Sequence, residues 1–267
     1  MRTKVAFLFY FLCFIFCSKT YAQRRSNNWM LGSHCNPYVA PGINFNSGSA
    51  DTFSIYRQFG FFVTNTSICD TSGNLLFYTN GVKIGNANHD TLLNSTEFNP
   101  GYESTINCQQ LASFQAALIL PQPSRDDMSL DGNLGAIIPS QKSLVIINDT
   151  MANGWIAACR HGNGRDWWIV APRFWSNKYY FLLLSTDSVR YVSSQVIGDS
   201  IIADIGGGAV FSPDGAWYAN VDFANNLNIF RFDRCTGIFF DSTYIHVPNP
   251  QSNFDNTTLG LAFSANS

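Results

Sequence analysis

Short hydrophobic runs separated by polar turn residues make up most of this chain. The runs are rich in aromatic and β-branched residues, show no sustained 3.6-residue period, and are interrupted by Gly, Asn, Asp, Ser and Pro. This pattern is typical of an all-β chain with tight turns. The predicted strands are carried by TFSIYRQFGFFV (52–63), NLLFYTN (74–80), AALIL (116–120), SLVIIND (143–149), DWWIVAP (166–172), KYYFLLLST (178–186), AWYANVDF (216–223), LNIFRFD (227–233) and STYIHV (242–247).

One unit recurs along the chain. Three segments align on a turn glycine that is followed by an aromatic-rich strand: CDTSGNLLFYTN (69–80), RHGNGRDWWIVA (160–171) and FSPDGAWYANVD (211–222). Gly164 and Gly215 are 51 residues apart, and Gly73 precedes Gly164 by 91 residues, close to two periods. A repeat of this length with four short strands is typical of a propeller blade, and a positive φ or a close backbone approach explains the glycine. A sandwich with coincident hairpins is the alternative.

The repeat predicts where the strands lie. Within 209–247 four antiparallel strands are expected near Ala209–Ser212, Ala216–Asp222, Leu227–Asp233 and Ser242–Val247, with turns at SPDG, ANN and RCTG. The preceding copy is expected to have strands at 156–161, 166–172, 178–186 and 189–196. A degraded copy should start at AALILPQP (116–123), and Leu261–Ser264 should open a further copy without its partner strands. The predicted fold is an all-β, partial β-propeller of four-stranded antiparallel blades, whose open edges favour self-association.

The N-terminus has the features of a signal peptide. Two basic residues precede an apolar run, Val5–Cys17, that is too short to span a bilayer, and Thr20–Ala22 gives a cleavage site before Gln23. A signal anchor that stays in the membrane is the alternative. The predicted division is a signal peptide at 1–22 and an incomplete propeller domain at 23–267. The protein is expected to be secreted or at the outer cell surface, with no membrane span after signal removal.

Composition narrows the classes of partner. Charged residues are 13% of the chain, the formal net charge is -2, and no basic cluster is present. Nucleic acid is therefore not an expected partner, because phosphate binding needs a localised Lys/Arg surface. Five of the seven cysteines follow the signal, at irregular spacing and without a zinc signature. We expect most of them to be buried small hydrophobes; one disulfide is compatible with an oxidising compartment, and the sequence does not select its pair.

The sequence contains no GxSxG elbow, Walker loop, HExxH motif or EF-hand loop. His161 occupies the turn position that Asp70 and Ser212 fill in the other copies, so we expect it to hydrogen-bond its own turn rather than to act in catalysis. The triplet Gly206–Gly208 precedes a predicted strand and not a helix. Close strand packing is therefore favoured over a phosphate cradle.

Two further features contain residue types that occur in binding sites. A loose calcium-like cluster in SRDDMSLDGN (124–133) comprises Asp126, Asp127, Asp131 and Asn133. The regular one-three-five ligand spacing is absent, so metal binding is not favoured. Trp167 and Trp168 should point to opposite faces of one strand, one into the core and the other more exposed, where a ring could stack on a sugar. No catalytic, cofactor-binding or metal-binding residue is assigned, and no cofactor is expected.

Several segments together resemble one secreted family. They are NNWMLG (27–32), GINFNSG (42–48), DTSGNLLFYTNGVKIGNANHD (70–90), MSLDGNLGAI (128–137), RHGNGRDWWIVAP (160–172) and FSPDGAWYANV (211–221). In this order they resemble the WD-repeat-like β-propeller proteins of Bacteroidota, which are often exported through the type IX secretion system. The resemblance implies a shortened member of that family. Only SRDD (124–127) joins LILPQP to MSLDG, which implies an internal loss of roughly half a blade, and later blades and a sorting domain are absent from the sequence.

These observations favour a non-enzymatic scaffold outside the cytoplasm whose loops bind a protein or a glycan at the cell surface. Two alternatives stay open: a propeller-type hydrolase or lyase with carboxylates or His161 near the axis, and a truncated product without independent function. The residues lining the central channel discriminate between the first two. Clustered His, Asp and Arg favour an enzyme, whereas Gly, Ala and aromatic residues favour a scaffold.

Overall fold

A computed structural model of the chain describes residues 24–32, 35, 38–121, 127–186, 188–201, 206–248 and 260–265. The predicted signal peptide at 1–22 and the predicted mature N-terminus, Gln23, lie outside these ranges. Within the ranges, no helix is both long and apolar enough to cross a membrane.

The described residues form an all-β fold of four antiparallel sheets. In each sheet the strands lie side by side in chain order. Sheet 1 contains β1 (Asn28–Met30), β2 (Tyr38–Asn44) and β3 (Asp51–Arg57), and sheet 2 contains β4 (Thr66–Cys69), β5 (Leu75–Thr79) and β6 (Ile84–Asn86). Sheet 3 contains β7 (Ala157–Arg160), β8 (Trp167–Pro172), β9 (Lys178–Leu184) and β10 (Val189–Val196). Sheet 4 contains β11 (Gly208–Phe211), β12 (Trp217–Val221), β13 (Asn226–Asp233) and β14 (Ile238–His246).

Among the described residues, helical structure is confined to short pieces between sheets 2 and 3. These are α1 (Tyr102–Ile106), α2 (Leu130–Asn133) and two 3-10 turns at Asp127–Ser129 and Pro139–Gln141. Across the ranges that the structure covers, the sheets do not close into a barrel or a ring.

Sheet 4 confirms the four antiparallel strands predicted within 209–247. One boundary was wrong: β14 begins at Ile238, four residues before the predicted Ser242. The turn ends at Gly237, and the chain enters the ladder at once, with Ile238 opposite Asp233. Sheet 3 confirms the preceding copy, since each observed strand lies inside its predicted range.

The turn glycines have the backbone conformation that the repeat predicts. Gly73, Gly164 and Gly215 have φ of 94°, 73° and 72°, and each lies between the first two strands of its sheet. Later turns of sheet 4 use Asn225 and Gly237 in the same region, with φ of 64° and 73°. Glycine and asparagine adopt this conformation at low energetic cost, so local turn chemistry sets the hairpin positions.

Sheets 3 and 4 pack face to face around the larger hydrophobic core. β7 lies against β11. On the outer side of the same interface, Gln195 on β10 donates to the carbonyl of Phe239 on β14 at 2.7 Å and accepts from its N–H at 3.0 Å. Both sheets therefore have their strands in chain order from one side of the interface, where β7 meets β11, to the other, where β10 meets β14. The aromatic members of their core are Trp155, Trp168, Tyr179, Phe181, Phe211, Tyr218, Phe230, Phe232 and Phe239.

One buried polar bridge joins these two sheets. Asn220 on β12 donates its amide to the Tyr179 hydroxyl on β9 at 2.8 Å, and it accepts from Asn228 at 3.3 Å. All three side chains are buried, and burial raises the pKa of Tyr179 above its usual value. Because buried amides and hydroxyls must find partners, this bridge favours one packing arrangement of the two sheets.

Sheets 1 and 2 form a second, smaller unit with β1 beside β4. Asn65 donates to the carbonyl of Met30 at 2.7 Å, which ties the two sheets at this edge. The core contains Met30, Phe59, Phe61 and Tyr78. The guanidinium of Arg57, fully buried, lies 4.7 Å from the Phe61 ring centroid and bonds a backbone carbonyl. Burial lowers the pKa of Arg57, and the aromatic rings around it supply part of the lost solvation.

Four strand predictions were wrong, in whole or in part, outside the four sheets. AALIL (116–120) and SLVIIND (143–149) were expected to be strands, but neither forms one, although both lie in described ranges. In 52–63 the strand ends at Arg57. A strand needs a neighbouring strand for its backbone groups, and composition alone does not provide one. Leu261–Ser264, also described, is not a strand, but Leu261 lies against the start of β11 beside Gly208.

The five cysteines after the predicted signal peptide occur in three states. Cys35 and Cys108 form a disulfide across 73 residues of chain. Cys69 and Cys159 are buried free thiols, as expected, and Cys235 is an exposed free thiol. Burial raises the pKa of Cys159 to about 12.

Candidate functional site

Four chain segments from different parts of the sequence converge on one cavity. They are Val63–Thr66, Phe114–Leu118, Gly207–Val210 and Gly260–Leu261, and they enclose about 450 Å³. We call this space the inner cavity. It lies at the first strands of sheets 2 and 4, because β4 begins at Thr66 and β11 at Gly208. The inner edges of the sheets therefore form its walls.

The side chain of Gln115 holds one wall of the inner cavity in place, because it makes the pair of backbone hydrogen bonds that a neighbouring strand would make. Its side-chain amide donates to the carbonyl of Ala209 at 2.8 Å and accepts from the N–H of Ala209 at 2.8 Å. The backbone carbonyls of Phe114 and Gln115 accept from Trp155 and Ile156 at 3.3 and 3.4 Å. The segment is thus joined both to β11 and to the chain entering β7.

The glycine triplet at this wall allows the close packing that the sequence predicted. Gly207 has φ of 83°, and a Cβ there would lie 2.2 Å from the carbonyl oxygen of Val221 and 2.7 Å from the Trp155 ring. Trp155 is buried and donates its indole N–H to the carbonyl of Gly206 at 3.0 Å. Only glycine fits between these groups without displacement. The triplet brings β11 against β12, and its last residue, Gly208, begins β11.

The described wall of the inner cavity consists of uncharged side chains. None of the described residues that line it has a titratable side chain. Three of its polar side chains are hydrogen-bonded within the protein: Thr64 donates to the carbonyl of Ser113 at 2.6 Å, Asn65 donates to that of Met30, and Gln115 bonds Ala209. The remaining wall is mostly Gly, Ala, Val, Leu and Phe. Such a wall offers van der Waals contact and backbone hydrogen bonds, but no general acid, general base or charged group.

His161 hydrogen-bonds its own turn, as predicted. Its Nδ1 accepts from the backbone N–H of Asn163 at 3.0 Å, and its ring stacks on Trp168 with centroids 5.4 Å apart. Asp70 and Ser212 make the equivalent local bonds in their turns, accepting from backbone N–H groups at 2.8 to 2.9 Å. The three residues stabilise hairpins and do not line the inner cavity.

Trp167 and Trp168 differ in burial, as expected. Trp168 is buried, and its indole donates to the carbonyl of Arg234 at 2.8 Å across the interface of sheets 3 and 4. Trp167 is half-buried, donates to the carbonyl of Pro121 at 3.1 Å, and lies 4.0 Å below the guanidinium of Arg160. The Trp167 ring is therefore occupied by protein groups on one face.

The calcium-like cluster is not assembled by the described residues. Asp126 lies outside them. Asp131 and Asn133 have φ of 50° and 71° in the kinked helix α2, and both are exposed. No group of three metal-ligating side chains occurs in the part of the chain that the structure covers. Sequence proximity alone placed these carboxylates together.

A second cavity of about 450 Å³ lies between sheets 1 and 2 and is polar. The amides of Asn28 and Asn46 both donate to the carbonyl of Gly73, at 2.8 and 2.9 Å, which fastens the hairpin of sheet 2 to sheet 1. Asp51 and His89 also line this polar cavity. Burial lowers the pKa of His89, which disfavours a positive charge on this wall. Sequence reasoning missed this site because its residues are spread over 28–89.

A third cavity, of about 770 Å³, is apolar and lies where the predicted strand 143–149 is absent. Leu144, Val145 and Ile146 line it and are 61%, 78% and 37% exposed. Together with Leu184 and Val189 they form an uncovered apolar surface.

No protein-family model matches the sequence, and no curated protein matches it.

Proposed function

We propose that the four sheets are blades of an incomplete β-propeller and that the protein is a non-enzymatic binding scaffold outside the cytoplasm. Sheets 3 and 4 support the propeller interpretation. They pack face to face with the same strand order, their first strands are adjacent, and their turn glycines are 51 residues apart. This is the relation that neighbouring blades have in a propeller.

The observation that carries the scaffold proposal is the wall of the inner cavity. In the proposed propeller this cavity occupies the position of the central channel, which is where a propeller enzyme would gather its catalytic groups. Its described lining consists of Gly, Ala, Val, Leu, Phe and uncharged polar residues. The lining supports a scaffold over a hydrolase or lyase, because acid–base chemistry requires groups that exchange protons.

Two observations support a location outside the cytoplasm. The first residues have the composition of a signal peptide. The disulfide between Cys35 and Cys108 is of the kind that forms and persists in oxidising compartments. The partner we propose is a protein or glycan at the cell surface, and the family resemblance to secreted propeller proteins of Bacteroidota is part of this proposal.

Binding and turnover measured together test the proposal. The folded chain 23–267, with its disulfide intact, is immobilised and exposed to purified surface glycans and to surface proteins, and the same mixtures are analysed for cleavage products. We expect saturable binding that unfolding abolishes, with every ligand recovered unchanged. Release of more than one product molecule per protein molecule would favour the hydrolase or lyase. Absence of saturable binding across these ligands would favour a product without independent function.

A further inference from the structure

One segment of the fold has the composition of a strand but lacks a partner strand among the described residues. Residues 116–120, AALIL, run between two fixed points. At one end Gln115 bonds Ala209 of β11, and at the other end the carbonyl of Pro121 accepts from the indole of Trp167 on β8. We call 116–120 the open strand. Five extended residues span about 17 Å, enough for a short ladder.

The backbone of the open strand is not hydrogen-bonded. In the described chain, no N–H or C=O of residues 116–120 has a protein partner. The residues immediately before them do, since Phe114 and Gln115 accept from Trp155 and Ile156. Four of the five residues are half-buried, and Leu118 is 39% exposed. Backbone groups removed from water usually find a partner, so a row of unused donors and acceptors marks a place where a strand can be added.

Two cavities flank the open strand. Ala116, Ala117 and Leu118 line the inner cavity. Ile119, Leu120 and Pro121 line a further space of about 350 Å³, which we call the side cavity. Apart from Arg25, the other walls of the side cavity are apolar. They come from sheet 2 and the residues after it, from 128–137 and from β9, and comprise Ile68, Leu76, Phe77, Ile84, Leu92, Met128, Ala136, Ile137 and Leu184. The side chains of an added strand would therefore enter apolar space beside the unused backbone groups.

The hairpins of the other sheets indicate what kind of strand is missing. In sheets 2, 3 and 4 the first strand is followed by a glycine turn and a second strand rich in aromatic and aliphatic residues, for example β12, WYANV. After the open strand, no described residue up to β7 forms such a second strand. The open strand thus has the neighbours of a first strand and lacks the second.

The charge of the residues that line the two cavities limits the kind of peptide that fits. Arg25 is the one charged residue among the described residues that line the side cavity, and the inner cavity has none. A basic peptide would bring like charge to this site, whereas an uncharged peptide or one with an acidic end would not.

We propose that the open strand binds an extended peptide segment of another protein by strand addition. The peptide is apolar and aromatic at alternate positions and neutral or acidic at its end. Main-chain hydrogen bonds to 116–120 hold it, and its side chains occupy the inner and side cavities. The assignment gives the scaffold proposed above a partner class and rests on that proposal.

A synthetic peptide copying 216–222, AWYANVD, is the probe, because it has the sequence of a second strand and an acidic end. Its binding to the folded chain 23–267 is measured by fluorescence anisotropy. We expect saturable binding at one peptide per chain. N-methylation at alternate residues removes the donors of one edge of the peptide, so one of the two alternating N-methyl peptides should bind at least about tenfold more weakly, while the other keeps its affinity.

Two protein variants complete the test. Leu118→Pro removes an N–H from the open strand, and its ring disturbs a ladder at this position, so it should weaken binding. Leu144→Pro is the matched control, since Leu144 is exposed, lies outside both cavities, and makes no backbone hydrogen bond in the described chain. It should bind like the wild type, with circular dichroism confirming that both variants fold.

Three results would overturn the assignment: equal binding of both N-methyl peptides and the parent, equal binding of a scrambled peptide, or a dimer of this chain that the peptide dissociates, which would make a second copy the occupant. If Leu118→Pro does not fold, the N-methyl pair decides the question alone. Failure of peptide binding would leave the ligand and turnover test of the scaffold unaffected, so the two proposals fail separately.

Discussion

Replacing Gly207 by alanine tests the close packing of β11 against β12. The new Cβ would lie 2.2 Å from the carbonyl oxygen of Val221, which is backbone and is paired with Gly208 in the ladder. A second contact, 2.7 Å to the Trp155 ring, closes the other side. The residue also has φ of 83°, a conformation that side chains rarely adopt. Neither wall can move without separating β11 from β12 or displacing a core tryptophan.

The magnitude follows from two contributions. A non-glycine residue at such a φ loses about 1–2 kcal/mol. Forcing a methyl group into a packed site adds about 1–3 kcal/mol. Gly207→Ala should therefore lower the free energy of unfolding by about 2–5 kcal/mol.

Gly164 provides the matched control. Its φ is 73°, close to that of Gly207, but no atom lies within 4 Å of the position its Cβ would take. Gly164→Ala should lose only the conformational contribution of about 1–2 kcal/mol. Urea unfolding of both variants and the wild type, followed by tryptophan fluorescence and circular dichroism, gives the two losses. Equal losses would refute the close approach at Gly207, because the variants would then differ only in location.

Further outcomes follow from the covalent and titrating groups. Cys35→Ser should lower the free energy of unfolding by about 4 kcal/mol, because the bond to Cys108 closes a loop of 73 residues; denaturation with and without reductant checks this, and wild-type stability unchanged by reductant would contradict it. At pH 8 a thiol reagent should label Cys235 in the native protein and leave Cys159, whose pKa burial raises to about 12, unlabelled until urea is added; rapid native labelling of Cys159 would contradict its burial. The hydrogen bond from the neighbouring arginine lowers the pKa of Asp166 below its usual value. The stability that this bond contributes is present above the unfolded pKa, near 4, and is lost as pH falls through the folded pKa. Asp166→Asn should therefore reduce the dependence of the urea midpoint on acid pH. An unaltered dependence would argue against a stabilising role for the Asp166 carboxylate.

Local sequence determined the hairpins of this protein. The glycine-centred repeat located the strands of sheets 3 and 4, because turn residues and alternating side chains act over a few neighbouring positions. The bond from Asn163 to His161 was predictable for the same reason. The start of β14 was not, since Ile238 and Phe240 are exposed on the outward face of an edge strand, where burial does not fix the boundary.

Tertiary structure decided everything that depends on distant residues. The AALIL run has the composition of a strand, yet residues 116–120 form none, because no described second strand lies beside them. The disulfide joins Cys35 to Cys108, which is 73 residues away in the sequence. The side-chain amide of Gln115 hydrogen-bonds Ala209, which is 94 residues away. The inner cavity is built from segments spread between 63 and 261. A pattern read along the chain carries no information about which remote segments meet, since that depends on how the sheets pack against one another.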